Sequence, residues 1–206
     1  MPPPLTLVID SATPACSAAL IAGDALVAEA HEVVGRGHAE RLVPMIAELL
    51  AGRRPDAVLV DCGPGSFTGT RVGLAAAQGL RIGWEVPLAG YSSMALLAAA
   101  AERELGAAIG VALVAGHGQI FVQSFGDDPL RPLDRLRALP PEEAAVAVDA
   151  PRVIGSGAAT LVAVRRWGEA VDALPRAADA RLLPPSLRGL PPRPIYGRAP
   201  DASPPA

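Results

Sequence analysis

The sequence predicts an α/β fold of short strands and helices, and three observations support this. The apolar run 57–60 leads into a glycine-rich turn and then into an Ala-, Leu- and Gly-rich segment, which is the order strand, loop, helix. Near the N-terminus, two strand-like runs meet at Gly23 and Asp24, which is typical of a tight hairpin. Of the 206 residues 50% are hydrophobic and only 3% aromatic, so the core must consist mainly of aliphatic side chains.

The predicted elements of the first half follow the order β-β-β-α-β-α-β-α. Strands are expected at residues 5–10, 16–22, 25–33, 57–61 and 86–90, and helices at 38–50, 70–84 and 92–105. The first of these helices places Leu42, Met45, Ile46 and Leu49 on one apolar face. Pro44 lies within this helix and is expected to kink it.

A second, shorter unit is predicted from residue 106 onward. Strands 109–115 and 119–125 would form a hairpin, and a strand at 153–157 ends in a glycine turn before a helix at 158–167. From residue 181 the chain is rich in proline, which predicts irregular structure. We therefore expect domains at 1–105 and 106–198, and a disordered tail at 199–206.

Composition and charge exclude several classes of protein. The formal net charge is −3 and all 18 basic residues are arginine, so no general attraction to nucleic acid is expected. Cys16 and Cys62 lie in apolar strand-like contexts, which indicates buried thiols in a reducing cytoplasm. We expect no signal peptide, because Asp10 interrupts the first apolar run, and no membrane helix, because a turn at 116–119 breaks the longest uncharged stretch.

The glycine-rich turn at 61–71 is the most informative motif. A glycine loop that opens a helix can direct backbone N–H groups at an anion, and Ser66 or Thr68 could cap the helix. The loop lacks the Gly-Lys-Ser/Thr ending of a P-loop. The alternative is that it only joins a strand closely to a helix.

Gly63 to Gly69, followed by Arg71 and by residues 77–80, closely resemble the TsaB (YeaZ) family, bacterial proteins that help make threonylcarbamoyladenosine in tRNA. Residues 8–20 and 38–45 agree with this resemblance, which therefore covers the first half. It implies an actin-like ATPase (ASKHA, ribonuclease H-like) fold with two small lobes, the second degenerate. Residues 194–198 resemble a C-terminal family element, in which Tyr196 is expected to dock onto the body.

The resemblance implies a non-catalytic, cytoplasmic subunit without cofactor. It would bind and activate a TsaD-type threonylcarbamoyltransferase, with a TsaE-type ATPase as third member. A homodimer is also compatible, and tRNA would be reached only through the complex. The alternative is a stand-alone ATP-binding kinase or ATPase of the actin-like superfamily, whereas a peptidase is disfavoured.

The nucleotide or anion site of that superfamily is expected to be vestigial. Its matching residues here are Asp10, Ser11, Gly63, Gly65, Ser66, Gly155 and Gly157. The turn after Asp10 lacks the glycine that would admit a phosphate. The His-x-x-x-His pair of catalytic relatives is missing after 86–90, so no metal is expected, and Ser93 has no activating partner in the sequence pattern. Residues 114–119 also lack the charged residues that many members carry there.

A partner interface is predicted on the first two helices. The second helix is apolar or small all round, with one line formed by Gly69, Gly73 and Ala77 and another by Ala75, Gly79 and Gly83. The residues assigned to the interface are His38, Leu42, Met45, Leu49, Gly69, Val72, Gly73, Ala76, Ala77 and Leu80. Arginine at Gly73 or Ala77 is expected to weaken association and leave the monomer folded. For His38, the alternatives are a capping role, or a role as a ligand or a base.

Overall fold

The first of two β-sheets is built from the N-terminal half, and the computed structural model describes residues 3–101, 107–126 and 129–197. Its strands are β1 (Leu5–Asp10), β2 (Ala15–Ala22), β3 (Ala25–Val33), β4 (Ala57–Asp61) and β5 (Leu88–Tyr91). Their order across the sheet is β3-β2-β1-β4-β5. The helices of this half are α1 (His38–Leu50), α2 (Phe67–Trp84) and α3 (Ser93–Ala100).

The register of the first sheet brings the carboxyl ends of its parallel strands together. β1 pairs antiparallel with β2 and parallel with β4, which pairs parallel with β5. In the last pair Asp61 lies opposite Tyr91. Side chains at the ends of β1, β4 and β5 can therefore meet at one edge of the sheet.

The second sheet repeats this connectivity with shorter elements. Its strands are β6 (Ile109–Gly116), β7 (Gln119–Gly126), β8 (Arg131–Pro132), β9 (Arg137–Leu139), β10 (Arg152–Ile154) and β11 (Glu169–Val171), and its helices are α4 (Pro141–Ala147) and α5 (Ala158–Arg165). The strand order is β11-β10-β6-β7, and both β8 and β9 pair with β7. Like β1, strand β6 pairs antiparallel with the next strand and parallel with a later one, β10.

The two sheets share one hydrophobic core. One face of each sheet packs on α3 and on a 3₁₀ helix at Ala177–Leu182, and this layer includes Leu96, Phe125 and Leu183. The outer face of the first sheet is covered by α1 and α2, and that of the second sheet by α4 and α5. Of the helices in the described ranges, none is both long enough and apolar enough to cross a membrane.

Several element boundaries differ from the sequence prediction for local reasons. α2 begins at Phe67 rather than residue 70, because Ser66 caps it and accepts a hydrogen bond from the N–H of Gly69 at 3.2 Å. Strand β5 starts at Leu88 rather than residue 86, because the N–H of Val86 still bonds to Arg81 O, in the last turn of α2. α3 ends at Ala100, and residues 102–105 of its predicted range, together with the domain boundary at 105/106, lie outside the described residues.

The proline-rich C-terminal region is more ordered than predicted. It forms 3₁₀ helices at Ala177–Leu182 and Pro185–Leu187 before it runs back along the body. The elements that the prediction lacked, β8, β9, α4 and β11, are all 2–7 residues long. Such short pieces leave no detectable periodicity in the sequence. The predicted disordered tail, 199–206, lies outside the described residues.

Candidate functional site

The exposed side of α2 is lined by small and apolar residues. Ala75, Gly79 and Gly83 follow one another at four-residue intervals, so they lie along one side of the helix, and all are exposed. Ile82 borders this line and is 71% exposed. A Cβ atom added at Gly79 or Gly83 would meet no heavy atom within 4 Å. We call Ala75, Gly79, Ile82 and Gly83 the exposed α2 face.

The opposite line of small residues on α2 faces the sheet. Gly69, Gly73 and Ala77 are buried, and a Cβ at Gly73 would overlap Ser11 Oγ. Arginine at Gly73 or Ala77 would have to displace packed neighbours, so this burial argues against the expectation that the monomer stays folded. The two small-residue lines were predicted, but the interface was assigned to the line that packs inside.

Burial also corrects the assignment on α1. Leu42, Met45 and Leu49 pack into the core against the first sheet. His38 is buried as well, and its Nε2 lies 2.8 Å from Thr13 O and 3.2 Å from Ala15 O, so it joins the start of α1 to the β1–β2 turn. Of the predicted interface residues, those that remain half-buried at the border of the exposed α2 face are Val72, Ala76 and Leu80.

The glycine loop before α2 packs tightly against the β1–β2 turn. A Cβ at Gly65 would overlap Ala12 O, and one at Gly69 would overlap Ser11 O. The N–H of Ser66 donates to Ala12 O at 2.6 Å, and that of Gly63 donates to Asp61 Oδ1 at 2.8 Å. Because these N–H groups are already bonded within the protein, they are not free to hold an anion.

Two carboxylates are buried where β1 and β4 end. Asp10 Oδ2 accepts a hydrogen bond from the Tyr91 hydroxyl at 3.0 Å, and Asp61 accepts one from Ser93 Oγ at 2.8 Å. Burial raises the pKa of Asp61 to about 7, and burial together with the charge of Asp61 raises the pKa of Asp10. Asp10 Oδ1 has no hydrogen-bond partner among the described residues. The sequence did not predict this pair, because only the fold brings 10 and 61 together.

The cleft between the halves contains a cavity of about 540 Å³. Its polar lining residues are Thr13, Ser66, Thr70, His117, Ser156 and Tyr196. None of the described residues that line it is Asp, Glu, Lys or Arg. The structure therefore separates the predicted anion residues, since Gly65 and Ser66 line the cleft but Asp10, Ser11 and Gly63 are buried.

The glycines of the second half also serve packing. A Cβ at Gly155 would overlap Ala112 O, and the N–H of Gly157 donates to the same oxygen at 3.0 Å. Gly155 and Gly157 thus attach the start of α5 to β6. They have the same structural role in the second half as Gly65 and Gly69 in the first.

The C-terminal segment, residues 190–197, links the two halves. Leu190 pairs with Gly90, the N–H of Ile195 donates to Cys62 O at 2.7 Å, and Gly197 O accepts from the N–H of Ala138. The Tyr196 hydroxyl accepts a hydrogen bond from Arg71 at 2.6 Å, so the predicted docking of Tyr196 is confirmed.

The remaining candidate residues, Ser93 and Cys62, are buried and therefore inaccessible to a substrate. Ser93 has a carboxylate partner, Asp61, which the sequence pattern did not reveal, but Ser93 is fully buried. Burial raises the pKa of Cys62 to about 11, which disfavours the reactive thiolate form. Within the described ranges, no three His, Cys, Asp or Glu side chains are grouped closely enough to hold a metal ion.

Comparisons with known proteins agree with this architecture. The family profile described as TsaD, tRNA N6-adenosine threonylcarbamoyltransferase, matches residues 30–130. The structure of YeaZ from Pseudomonas aeruginosa superposes with a TM-score of 0.75 at 31% identity and covers 87% of this chain and 90% of that one. The chain is thus an α/β protein of the actin-like ATPase fold.

Sequence relatives lead to the family. The chain is 37% identical to the tRNA threonylcarbamoyladenosine biosynthesis protein TsaB of Escherichia coli, over 59% of this chain and 55% of that protein. It is 32% identical to an uncharacterised protein of Mycobacterium tuberculosis over 96% of this chain and 93% of that protein. The chain belongs to the TsaB (YeaZ) family, which confirms the resemblance noted in the sequence. The match spans about half the length of the Escherichia coli protein.

Proposed function

We propose that this protein is a non-catalytic subunit in the biosynthesis of threonylcarbamoyladenosine in tRNA. It binds a TsaD-type threonylcarbamoyltransferase through the exposed α2 face and activates it, and a TsaE-type ATPase is the third member of the complex. The protein contacts tRNA only within that complex.

The observation that supports this proposal is the apolar, small-residue surface of α2. Ile82 is 71% exposed beside Gly79 and Gly83, neither of which has a side chain that would keep a second helix away. Small residues let two helix backbones approach closely, and a contiguous exposed apolar patch ordinarily marks an interface. The names of the relatives connect the family with tRNA modification.

Burial and charge disfavour the rival function, a stand-alone kinase or ATPase. A site for a nucleoside triphosphate needs cationic side chains or N–H donors for the phosphates, and carboxylates for the magnesium ion. Asp10 and Asp61 are buried, and the described residues that line the cleft include no Lys or Arg. We expect the isolated chain to release no phosphate from ATP; sustained turnover that Asp10→Ala abolishes would support the rival instead.

Reconstitution tests the proposal directly. The transferase and the ATPase of the same genome are purified and given tRNA, ATP and a threonylcarbamoyl donor, with and without this protein. Modified adenosine in digested tRNA, measured by mass spectrometry, should rise at least tenfold when the protein is added. Equal yields in both reactions, or no co-elution of the protein with the transferase in gel filtration, would contradict the proposal.

A further inference from the structure

Arg71 is held in place at the border of the exposed α2 face. Its guanidinium carbon lies 3.2 Å from the centre of the Phe67 ring and 5.6 Å from that of Tyr196. One N–H donates to Phe67 O at 3.2 Å and another to the Tyr196 hydroxyl at 2.6 Å. A guanidinium has five N–H donors, so this arrangement leaves others free for a further acceptor. We call Phe67, Arg71 and Tyr196 the Arg71 platform.

The Arg71 platform is open to solvent and lacks an acidic partner. Phe67 is 68% exposed and Tyr196 59% exposed. No carboxylate of the described residues forms an ion pair with Arg71, although Arg41, Arg137, Arg152 and Arg176 each have one. Arg71 precedes Ala75 by four residues, so it lies one turn N-terminal to the exposed α2 face and on the same side of the helix.

Charge indicates which partner group the platform fits. The charged residues of α2 are Arg71 and Arg81, and the helix contains no acidic residue, although the chain as a whole has a net charge of −3. An arginine fixed against aromatic rings presents a planar fork that matches a carboxylate. An RNA backbone would instead require several adjacent cations, and the platform has one beside an apolar face.

We propose that the Arg71 platform binds an Asp or Glu side chain of the protein partner that covers the exposed α2 face. This inference rests on the proposed function, since the partner is the TsaD-type transferase. The contact would fix the register of the two helices, because a charged pair at one end of an apolar face distinguishes one alignment from those shifted by a turn.

Charge reversal tests the proposal. Arg71→Glu should weaken transferase binding roughly thirtyfold or more in isothermal titration calorimetry, and Arg71→Ala roughly tenfold, since both leave the partner's carboxylate unpaired. Arg131→Glu, a matched reversal at an exposed arginine of β8, should change affinity less than twofold. Thermal melting of each variant verifies that it is folded.

A rescue experiment identifies the partner residue. Each acidic residue on the contacting helices of the transferase is changed to Arg, and each of these variants is titrated against Arg71→Glu. One of them should bind Arg71→Glu at least tenfold more tightly than the unchanged transferase does. If Arg71→Glu binds the transferase with normal affinity, the inference is wrong. It is also wrong if the variant still binds the transferase but the complex no longer retains tRNA. Gly79→Arg separates the two ideas: if it abolishes binding and Arg71→Glu does not, only the Arg71 inference is wrong, whereas if neither variant weakens binding, the α2 interface is wrong as well.

Discussion

The two halves of the molecule share one strand order but differ in how much helix they carry. α2 has 18 residues and α5, its counterpart after β10, has 8. At about 1.5 Å per residue α2 is about 27 Å long, whereas β4 beneath it spans only about 17 Å. α2 is therefore longer than the strand beneath it, and Gly79, Ile82 and Gly83 on its outward side are exposed. The comparison teaches that the first half has helical surface beyond what its own core requires.

The comparison also distinguishes features that serve packing in both halves from features that occur in the first half. Both halves place a glycine loop between a strand and the helix that follows, and in both the loop contacts the backbone of the neighbouring strand or turn. Similar loops in the two halves argue for a common structural role. The buried carboxylate pair and the long α2, in contrast, belong to the first half.

The largest expected effect comes from the loop of the first half. Gly65→Ala should lower the free energy of unfolding by several kcal/mol or prevent folding, because its Cβ would overlap Ala12 O. Gly157→Ala in the second half should cost only about 1 kcal/mol, since its nearest atoms would lie at 3.2 Å. Urea unfolding of both variants measures the difference. Equal losses would mean that Gly65 and Gly157 are equally constrained, contrary to these contacts.

The buried pair of the first half should make stability fall as pH rises. The pKa of both Asp10 and Asp61 is raised in the folded state, so folding retains protons that the unfolded chain releases. Their contribution is complete below about pH 4 and is lost as pH rises through about 7 and above. Unfolding free energies at pH 5 and pH 8 should differ by a few kcal/mol, and Asp10→Asn should reduce that difference. An unchanged difference in Asp10→Asn would show that other groups cause it.

The smallest effect concerns helix capping. Ser66→Ala removes the side-chain cap of α2 and should cost about 1 kcal/mol of unfolding free energy. Ser66→Asp should retain most of it, because a carboxylate also caps and favours a helix N-terminus. α5 has no side-chain cap, so the cap is a further difference between the halves. Thermal melting at equal protein concentration measures the shifts, and a Ser66→Asp variant as unstable as Ser66→Ala would argue against capping.

The order of strands and helices along the first half could be predicted from the sequence, because these elements are long enough to show periodicity. The sequence also indicated both small-residue lines of α2, but periodicity cannot tell which line faces the sheet. That depends on Ser11, which contacts Gly73 only after β1 and α2 have packed. Asp10, Asp61 and Tyr91 are separated by 30 residues or more, so their contact follows from strand pairing rather than from any local pattern.

The central claim is that the exposed α2 face is the partner-binding surface, and Gly79→Arg tests it most directly. The side chain meets open space, and replacing a glycine inside a helix should stabilise the monomer by about 0.5–1 kcal/mol. Binding to the transferase should nevertheless weaken at least a hundredfold, since a long charged side chain would separate the helices. Ala163→Arg, an equally exposed change on α5, should leave affinity unchanged. Undiminished binding by a folded Gly79→Arg would contradict the account.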